Sequence, residues 1–345
     1  MATTRLPSSV ALPALASPRV SIVVNNYNYG RFVEQALESA RAQTYPCELI
    51  VVDDGSTDDS RARLARWADR VTVVHQENGG QYSAYNAGFA ESSGELVVFL
   101  DADDWLYPDA IERAVAAFAE GVVKVHFRLE LVDERGTRLG SKIPSTLAHG
   151  DVASRMLNRG ILYASAPGSG NVYRRAVLER LFPLPKPDGD RVGADFFTIF
   201  GVALFGRVAA LADPAGAYRV HAPADRRAYV FGNAAQAHDE RARVLGRMEL
   251  FRHWVKERAG IVVPTLTDFS QLKTEFVSTT VERAYFGRLR AGARAMPGLL
   301  RALWWHGEFS FLKKLGLSAW SLLITCAPGP VARPVARYVT NPGSR

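Results

Sequence analysis

GELVVFLDADDWLYPD, residues 94–109, is the stretch from which the fold can be read. Leu96–Leu100 is an unbroken apolar run, the signature of a strand covered on both faces. It stops at Asp101-Ala102-Asp103-Asp104. Pro108 then stands where a helix would begin, a place that suits proline's fixed φ and missing N–H.

The same punctuation recurs upstream. Val20–Asn25 is a second β-branched run, and after Gly30 the residues Phe32, Val33, Ala36, Leu37 and Ala40 fall at helical spacing. Leu49–Val52 reads as a strand ending in Asp53-Asp54-Gly55-Ser56, with a helix around Ser60–Ala68. Val71–His75 and a helix over Tyr82–Ala90 complete the series. Four strand–helix alternations in about 100 residues predict an α/β, doubly wound, mostly parallel sheet flanked by helices. Ligands of such sheets bind beyond the carboxyl ends of the strands. The polar clusters 25–28, 53–56, 78–81 and 101–104 all lie there, which marks a site.

Downstream the pattern changes. Val123–Val132 with Asp133–Gly136 reads as one strand and a turn, and from Asn233 onward the chain reads as helical, with Val244, Met248, Phe251 and Val255 on one apolar face. The Ala-, Pro- and Ser-rich residues 1–18 are expected to form a disordered tail, since the apolar stretch Val10–Leu15 is short and broken by Pro13, unlike a signal peptide. The domains expected are this tail, an α/β domain over 19–224 and a helical extension over 225–345.

Two cysteines, Cys47 and Cys326, make no framework, so a disulfide-built secreted fold is not expected and a cytoplasmic location is, at the inner face of the membrane if the extension binds lipid. No segment reaches the ~20 apolar residues of a membrane span. The net charge of +7 is uneven: residues 225–345 hold 19 Lys+Arg against nine Asp+Glu. That basic half could face anionic lipid, an anionic substrate or solvent. Its aromatic and apolar residues, including Trp304, Trp305, Phe309, Phe311, Leu312 and Leu315, mix with Arg301, Lys313 and Lys314. They suit a helix in a membrane interface, or packing on the α/β domain or a second subunit.

Asp101 and Asp103 are two apart, so on an extended chain their carboxylates share a side. Two carboxylates at a strand end suit a hard divalent cation, Mn²⁺ or Mg²⁺, whose open positions phosphate oxygens can fill. Asp104 is expected near a helix N-terminus, where a carboxylate is favoured in any case. Either Asp53 or Asp54 could accept hydrogen bonds from a base or ribose, and turn residues are expected there whatever the function. Neither GxGxxG nor GxxxxGK[ST] occurs, so the dinucleotide and P-loop phosphate sites are missing.

SIVVNNYN (21–28), ELIVVDDGSTDDS (48–60), NGGQYSAYNAG (78–88) and GELVVFLDADDWLYPD (94–109), in this order and spacing, resemble the family 2 glycosyltransferases of the GT-A fold. A fainter likeness runs through GSGNVYRRAVLERL (168–181) to GAYRVH (216–221). The resemblance implies an inverting, metal-dependent enzyme that takes a nucleotide-sugar, usually a UDP-sugar, and glycosylates a hydroxyl of a glycan, lipid-linked glycan or other acceptor, with a role in surface polysaccharide or glycoconjugate synthesis. No nucleic-acid partner is implied. Residues 19–120 would bind nucleotide and metal, and 121–224 the acceptor. Asn25 and Tyr27 would line the nucleoside pocket, Asp54 would meet the uracil edge with Asp53 beside it, and Asn78 and Gly79 would border the nucleotide and sugar. Asp101 and Asp103 would form the DxD motif on ribose and metal, with His221 at a position that sometimes touches metal or diphosphate. Asp195 would be the general base. The family often has Glu-Asp where this chain has Ala194-Asp195, which leaves Asp188 and Asp190 as other candidates. Arg219 would either steady the diphosphate or form a surface ion pair.

Rival classes fit less well. A haloacid-dehalogenase-type phosphatase needs Asp-x-Asp-x-Thr or Val, and Trp105 stands at that place. A sugar-nucleotide pyrophosphorylase needs a Gly-rich basic loop that Asn25–Gly30 lacks. A non-catalytic nucleotide-sugar-binding or membrane-associated subunit is the remaining alternative, favoured only by Ala194.

Overall fold

The computed structural model describes residues 12–187, 189–221, 237–281 and 283–340. The first half runs β1 (Val20–Asn26), α1 (Gly30–Arg41), β2 (Cys47–Asp54), α2 (Ser60–Leu64), β3 (Thr72–Gln76), α3 (Gln81–Glu91), β4 (Leu96–Asp101), β5 (Trp105–Leu106) and α4 (Ala110–Ala116). There follow β6 (Val122–His126), β7 (Leu129–Val132), β8 (Arg138–Ile143), α5 (Ala153–Arg159), β9 (Asn171–Arg174), α6 (Arg175–Leu178), α7 (Ala194–Val202), β10 (Arg207–Ala210) and β11 (Gly216–Arg219). Among the described residues five helices follow: α8 (Ala237–Ala259), α9 (Phe269–Thr280), α10 (Tyr285–Trp305), α11 (Phe311–Cys326) and α12 (Gly329–Thr340).

The main sheet has the order β10-β6-β9-β4-β1-β2-β3. It is parallel except for β9, which runs antiparallel to both β4 and β6. The alternation of side chains explains the continuous apolar runs. Val23, Ile50, Val52, Val97 and Phe99 enter the core on one face, while Ile22, Val24, Val51, Val98 and Leu100 enter the core on the other. A smaller sheet, β5-β11-β7-β8, stands beside it.

Three sequence expectations need correction. Val123–Val132 is not one strand: the chain breaks at Phe127–Arg128, sending β6 into the main sheet and β7 into the small one. Residues 12–18, assigned to the tail, lie against the domain: Leu12 is buried and its carbonyl accepts from the Gly121 N–H at 2.8 Å, and Arg174 Nη1 donates to the Pro13 carbonyl at 3.0 Å. Residues 1–11 lie outside the described residues. Finally, α8 does not belong to a separate extension. Met248, Phe251, Trp254 and Val255 are buried in the same core as Val23, Phe99 and Phe197. Only α9–α12 form a cluster of their own, centred on Phe276, Leu303, Trp320 and Ile324. Among the described residues no helix is long and apolar enough to cross a membrane.

Candidate active site

From β1 the chain proceeds outward through β2 and β3, then returns to place β4 on the other side of β1. That reversal opens a crevice at the carboxyl ends of β1 and β4, where Asn25 and Asp101 are register partners. A cavity of about 450 Å³ occupies it. Asn25, Tyr27, Asp54, Asn78, Asp101, Asp103 and His221, all singled out from sequence, line it. Asp53, Gly79 and Asp195 do not.

Asp53 faces the protein. It accepts from Asn26 Nδ2 at 3.0 Å and lies 3.3 Å from His75 Nδ1, tying β1 to β2 and β3. Asp54 accepts three hydrogen bonds, from Gln76 Nε2 at 2.6 Å and the N–H groups of Gly79 and Gly80 at 2.9 and 2.8 Å. Its carboxylate thereby fixes the loop that carries Asn78 along the pocket wall, and Gly79 serves as a donor in that loop. Gly80 is required by conformation: its φ is +82°, and a Cβ there would lie 2.9 Å from the Arg191 carbonyl. The Asn25 amide has neither Nδ2 nor Oδ1 paired, although both atoms are buried. An unpaired buried amide on a pocket wall is costly unless a ligand completes it.

Around Asp101 the charges crowd. Burial, then Asp103 and then Asp195, pushes the Asp101 carboxyl up to about 8. Asp104 is also raised, by burial first and then by Asp103 and Asp101. It is not at a helix N-terminus, since α4 starts at Ala110 behind Asp109. Instead Asp104 is buried and accepts from Ser169 Oγ at 2.6 Å and from the Arg219 N–H at 2.9 Å, joining β11 to the turn before β9. Asp103 Oδ2 is 2.7 Å from His221 Nε2. The imidazole is held between Tyr29 and Phe32, with ring centroids 5.5 and 5.6 Å away.

These residues fit a divalent cation by their chemistry. Two carboxylates crowd a low-dielectric crevice, and the imidazole is the ring that meets Asp103. Among the described residues no three His, Cys, Asp or Glu side chains converge so as to hold a metal ion by themselves. A cation held there would draw its remaining ligands from other oxygens, such as those of a phosphate. Imidazole beside carboxylate suits Mn²⁺, while Mg²⁺ would lean on the carboxylates alone.

Asp195 sits in the first turn of α7, half-buried. Burial raises its carboxyl above the usual range, against the pull of Arg247 and of backbone hydrogen bonds from Phe196 and Gly168. Gly168 is the spacer: a Cβ there would lie 3.5 Å from both Asp101 Oδ2 and Asp195 Cβ. The two carboxylates thus flank one bare stretch of backbone. Asp190, the other described candidate, is spent: it pairs with Arg247 at 2.8 and 3.0 Å and accepts from Tyr82 Oη at 3.2 Å. Asp188 lies outside the described residues.

Arg219 lines the crevice and is not the surface cation of an ion pair. It is buried, donates to the carbonyls of Asp103, Asp133 and Glu134 and to Gln35, and stacks on Phe32 at 4.3 Å. Sequence reading missed two further wall residues. Gln81 Oε1 accepts from the N–H groups of Gly193 and Ala194, at 2.7 and 3.0 Å, while its amide bonds Asp101. Arg191 reaches across the pocket mouth and bonds Asn78. Gln81 directly follows the Gly79-Gly80 turn, and that position was its one signal; Arg191 had none.

Comparison with known proteins agrees with this fold. The family model described as glycosyl transferase family 2 matches residues 21–182. An uncharacterized glycosyltransferase of Nostoc sp. is 38% identical over 215 residues, 59% of this chain and 65% of that protein. The putative glycosyltransferase EpsH of Bacillus subtilis is 32% identical over 219 residues, 60% of this chain and 62% of its own. The chain thus spans somewhat under two thirds of these relatives. Among solved structures, S. aureus TarS 1–349 in complex with UDP-GlcNAc superposes with a TM-score of 0.52 at 16% identity, over 93% of this chain and 91% of that one. A mannosyltransferase of Pyrobaculum calidifontis in complex with GDP-Man and Mn²⁺ gives 0.50 at 22% identity, over 96% and 88%. Motif, sheet order and family model agree: residues 21–182 match glycosyl transferase family 2, and the chain is built on the GT-A fold.

Proposed function

We propose that this protein transfers a sugar from a nucleotide-sugar, a UDP-sugar first among them, to a hydroxyl acceptor with inversion at the anomeric carbon, in the synthesis of a surface polysaccharide or glycoconjugate. One observation carries the reading: Asp101, Asp103 and His221 all line one crevice of about 450 Å³, His221 Nε2 lies 2.7 Å from Asp103 Oδ2, and Asp195 stands across Gly168 from Asp101.

Asn25, with its unpaired amide, and Tyr27 at the rim hold the nucleoside, and Asp54 orders the loop that presents Asn78. Asp101 and Asp103, with His221 beside Asp103, would hold a divalent cation, Mn²⁺ or Mg²⁺, which would offset the charge of the diphosphate leaving group. Inversion requires a single in-line displacement. The acceptor oxygen forms its bond to the anomeric carbon as the bond from that carbon to the diphosphate oxygen breaks, and the acceptor's proton passes to the Asp195 carboxylate. The raised affinity of Asp195 for a proton strengthens it as a base, provided it is ionised at the working pH. Asp190 cannot take this part while it neutralises Arg247.

The test is nucleotide release from a panel of UDP-, GDP- and dTDP-sugars with Mn²⁺ or Mg²⁺, repeated with EDTA and with Asp103→Ala. Release from one donor, dependent on metal and lost in the variant, is expected. Metal-dependent donor binding without turnover, with any acceptor offered, would assign the chain a binding role instead. Absence of binding across the panel would overturn the proposal.

A further inference from the structure

α11 carries two faces of different fate. Trp320, Ser321, Ile324 and Thr325 are buried against α9, α10 and α12. The opposite side exposes Phe311, Leu312, Leu315, Gly316, Ala319, Leu322, Leu323 and Cys326. At 3.6 residues per turn these positions span an arc of roughly 140° along a helix about 24 Å long. No charged or hydrogen-bonding amide side chain interrupts that arc. Phe311 is 64% exposed, Leu312 79% and Leu322 52%. The apolar surface continues onto α10 at both ends. Trp304 packs beside Phe311, with centroids 5.9 Å apart, and at the other end Phe286 is 79% exposed on the helix whose Arg288 bonds the Ala327 carbonyl.

Exposed cations share the helical unit with this surface. Lys313 follows Leu312, and Arg283, Arg290, Arg294, Arg301 and Arg333 are exposed on the same helical unit. The whole of residues 225–345 carries 19 Lys+Arg against nine Asp+Glu. A second copy of the same basic unit would bring like charges together around the contact, whereas an anionic bilayer complements them. A long apolar arc within a basic unit, on a helix too short to span, is the composition of an element that lies in the headgroup–acyl boundary.

We propose that the α11 face, from Trp304 and Phe311 to Phe286, is the surface by which this protein lies on an anionic lipid membrane. The leucines enter the acyl boundary and the arginines and lysines of the unit meet the headgroups. This docking is independent of the donor and of Asp103.

Flotation of the full chain with vesicles tests it. One set is phosphatidylcholine alone and the other is phosphatidylcholine mixed with phosphatidylglycerol. The wild type is expected to float with the mixed vesicles and to be released by high salt. Leu312→Asp with Leu322→Asp, both at exposed positions, is expected to lower binding by roughly tenfold or more, with an unchanged circular dichroism spectrum and thermal midpoint. Binding that ignores anionic lipid, or that the double variant leaves intact, overturns the proposal. So does a wild type that floats with neither vesicle and sediments as a dimer that the double variant dissociates, which would give the face to a second copy.

Discussion

In the proposed mechanism Asp195 takes the proton and Gln81 positions the groups around it. Asp195→Asn keeps size and removes basicity, so transfer should fall by about 10²–10⁴-fold while donor binding, read by titration calorimetry, stays within a few fold. An equal loss of binding would make Asp195 a donor ligand rather than the base. Gln81 never needs to touch the reaction. It joins two N–H groups at the start of α7 to Asp101, so Gln81→Ala should unpair them and cost about 1–2 kcal/mol, visible as a lower melting temperature together with weaker Mn²⁺ binding. A variant that loses stability and keeps its metal affinity would confine Gln81 to capping. The acidic residues of this site were legible as a group because each follows an apolar strand. Their separate duties were not: Asp53 and Asp54 are neighbours in sequence, yet the alternation of the strand turns one toward His75 and the other toward the Gly79-Gly80 loop.

At the scale of elements, one cluster ties the helical unit to the α/β domain. Glu308, in the turn between α10 and α11, pairs with Arg155 of α5, and His306 Nδ1 lies 2.9 Å from its other oxygen. Burial works against the carboxylate, but Arg155 and His306 win and draw its pKa from 4.5 down to about 2. A carboxyl lowered in the folded state contributes stability above its unfolded value and loses it as pH falls through the folded one. Between about pH 4.5 and 2 the chain should therefore lose about 3 kcal/mol from this group. Glu308→Gln should show the loss at neutral pH and flatten the acid limb of a melting-temperature profile; a parallel, unshifted profile would mean the pair contributes nothing net. None of this could be read beforehand, since Arg155 and Glu308 are separated by 153 positions.

At the scale of the molecule, α8 decides where the core of the α/β domain ends. Phe251 is fully buried among Phe196, Phe197 and Trp254, so Phe251→Ala should cost about 3–5 kcal/mol, measured by urea unfolding. A chain cut after Ala224 should aggregate, because it leaves Phe197 and Val202 without the helix that covers them; a soluble, cooperatively melting fragment would restore the sequence-based boundary. What the sequence by itself determined was local and periodic: strands from apolar runs, their ends from acidic and glycine punctuation, and a ligand site from the rule that such ends gather on one edge of a doubly wound sheet. Only the tertiary structure decided which carboxylates face the crevice, that Arg219 is consumed by backbone carbonyls, that Asp190 is neutralised by Arg247, and that α8 completes the core. The reason is physical. Periodicity reports whether a side chain is apolar on one face, whereas burial of charge and partnership across tens or hundreds of residues depend on which faces the folded chain brings together.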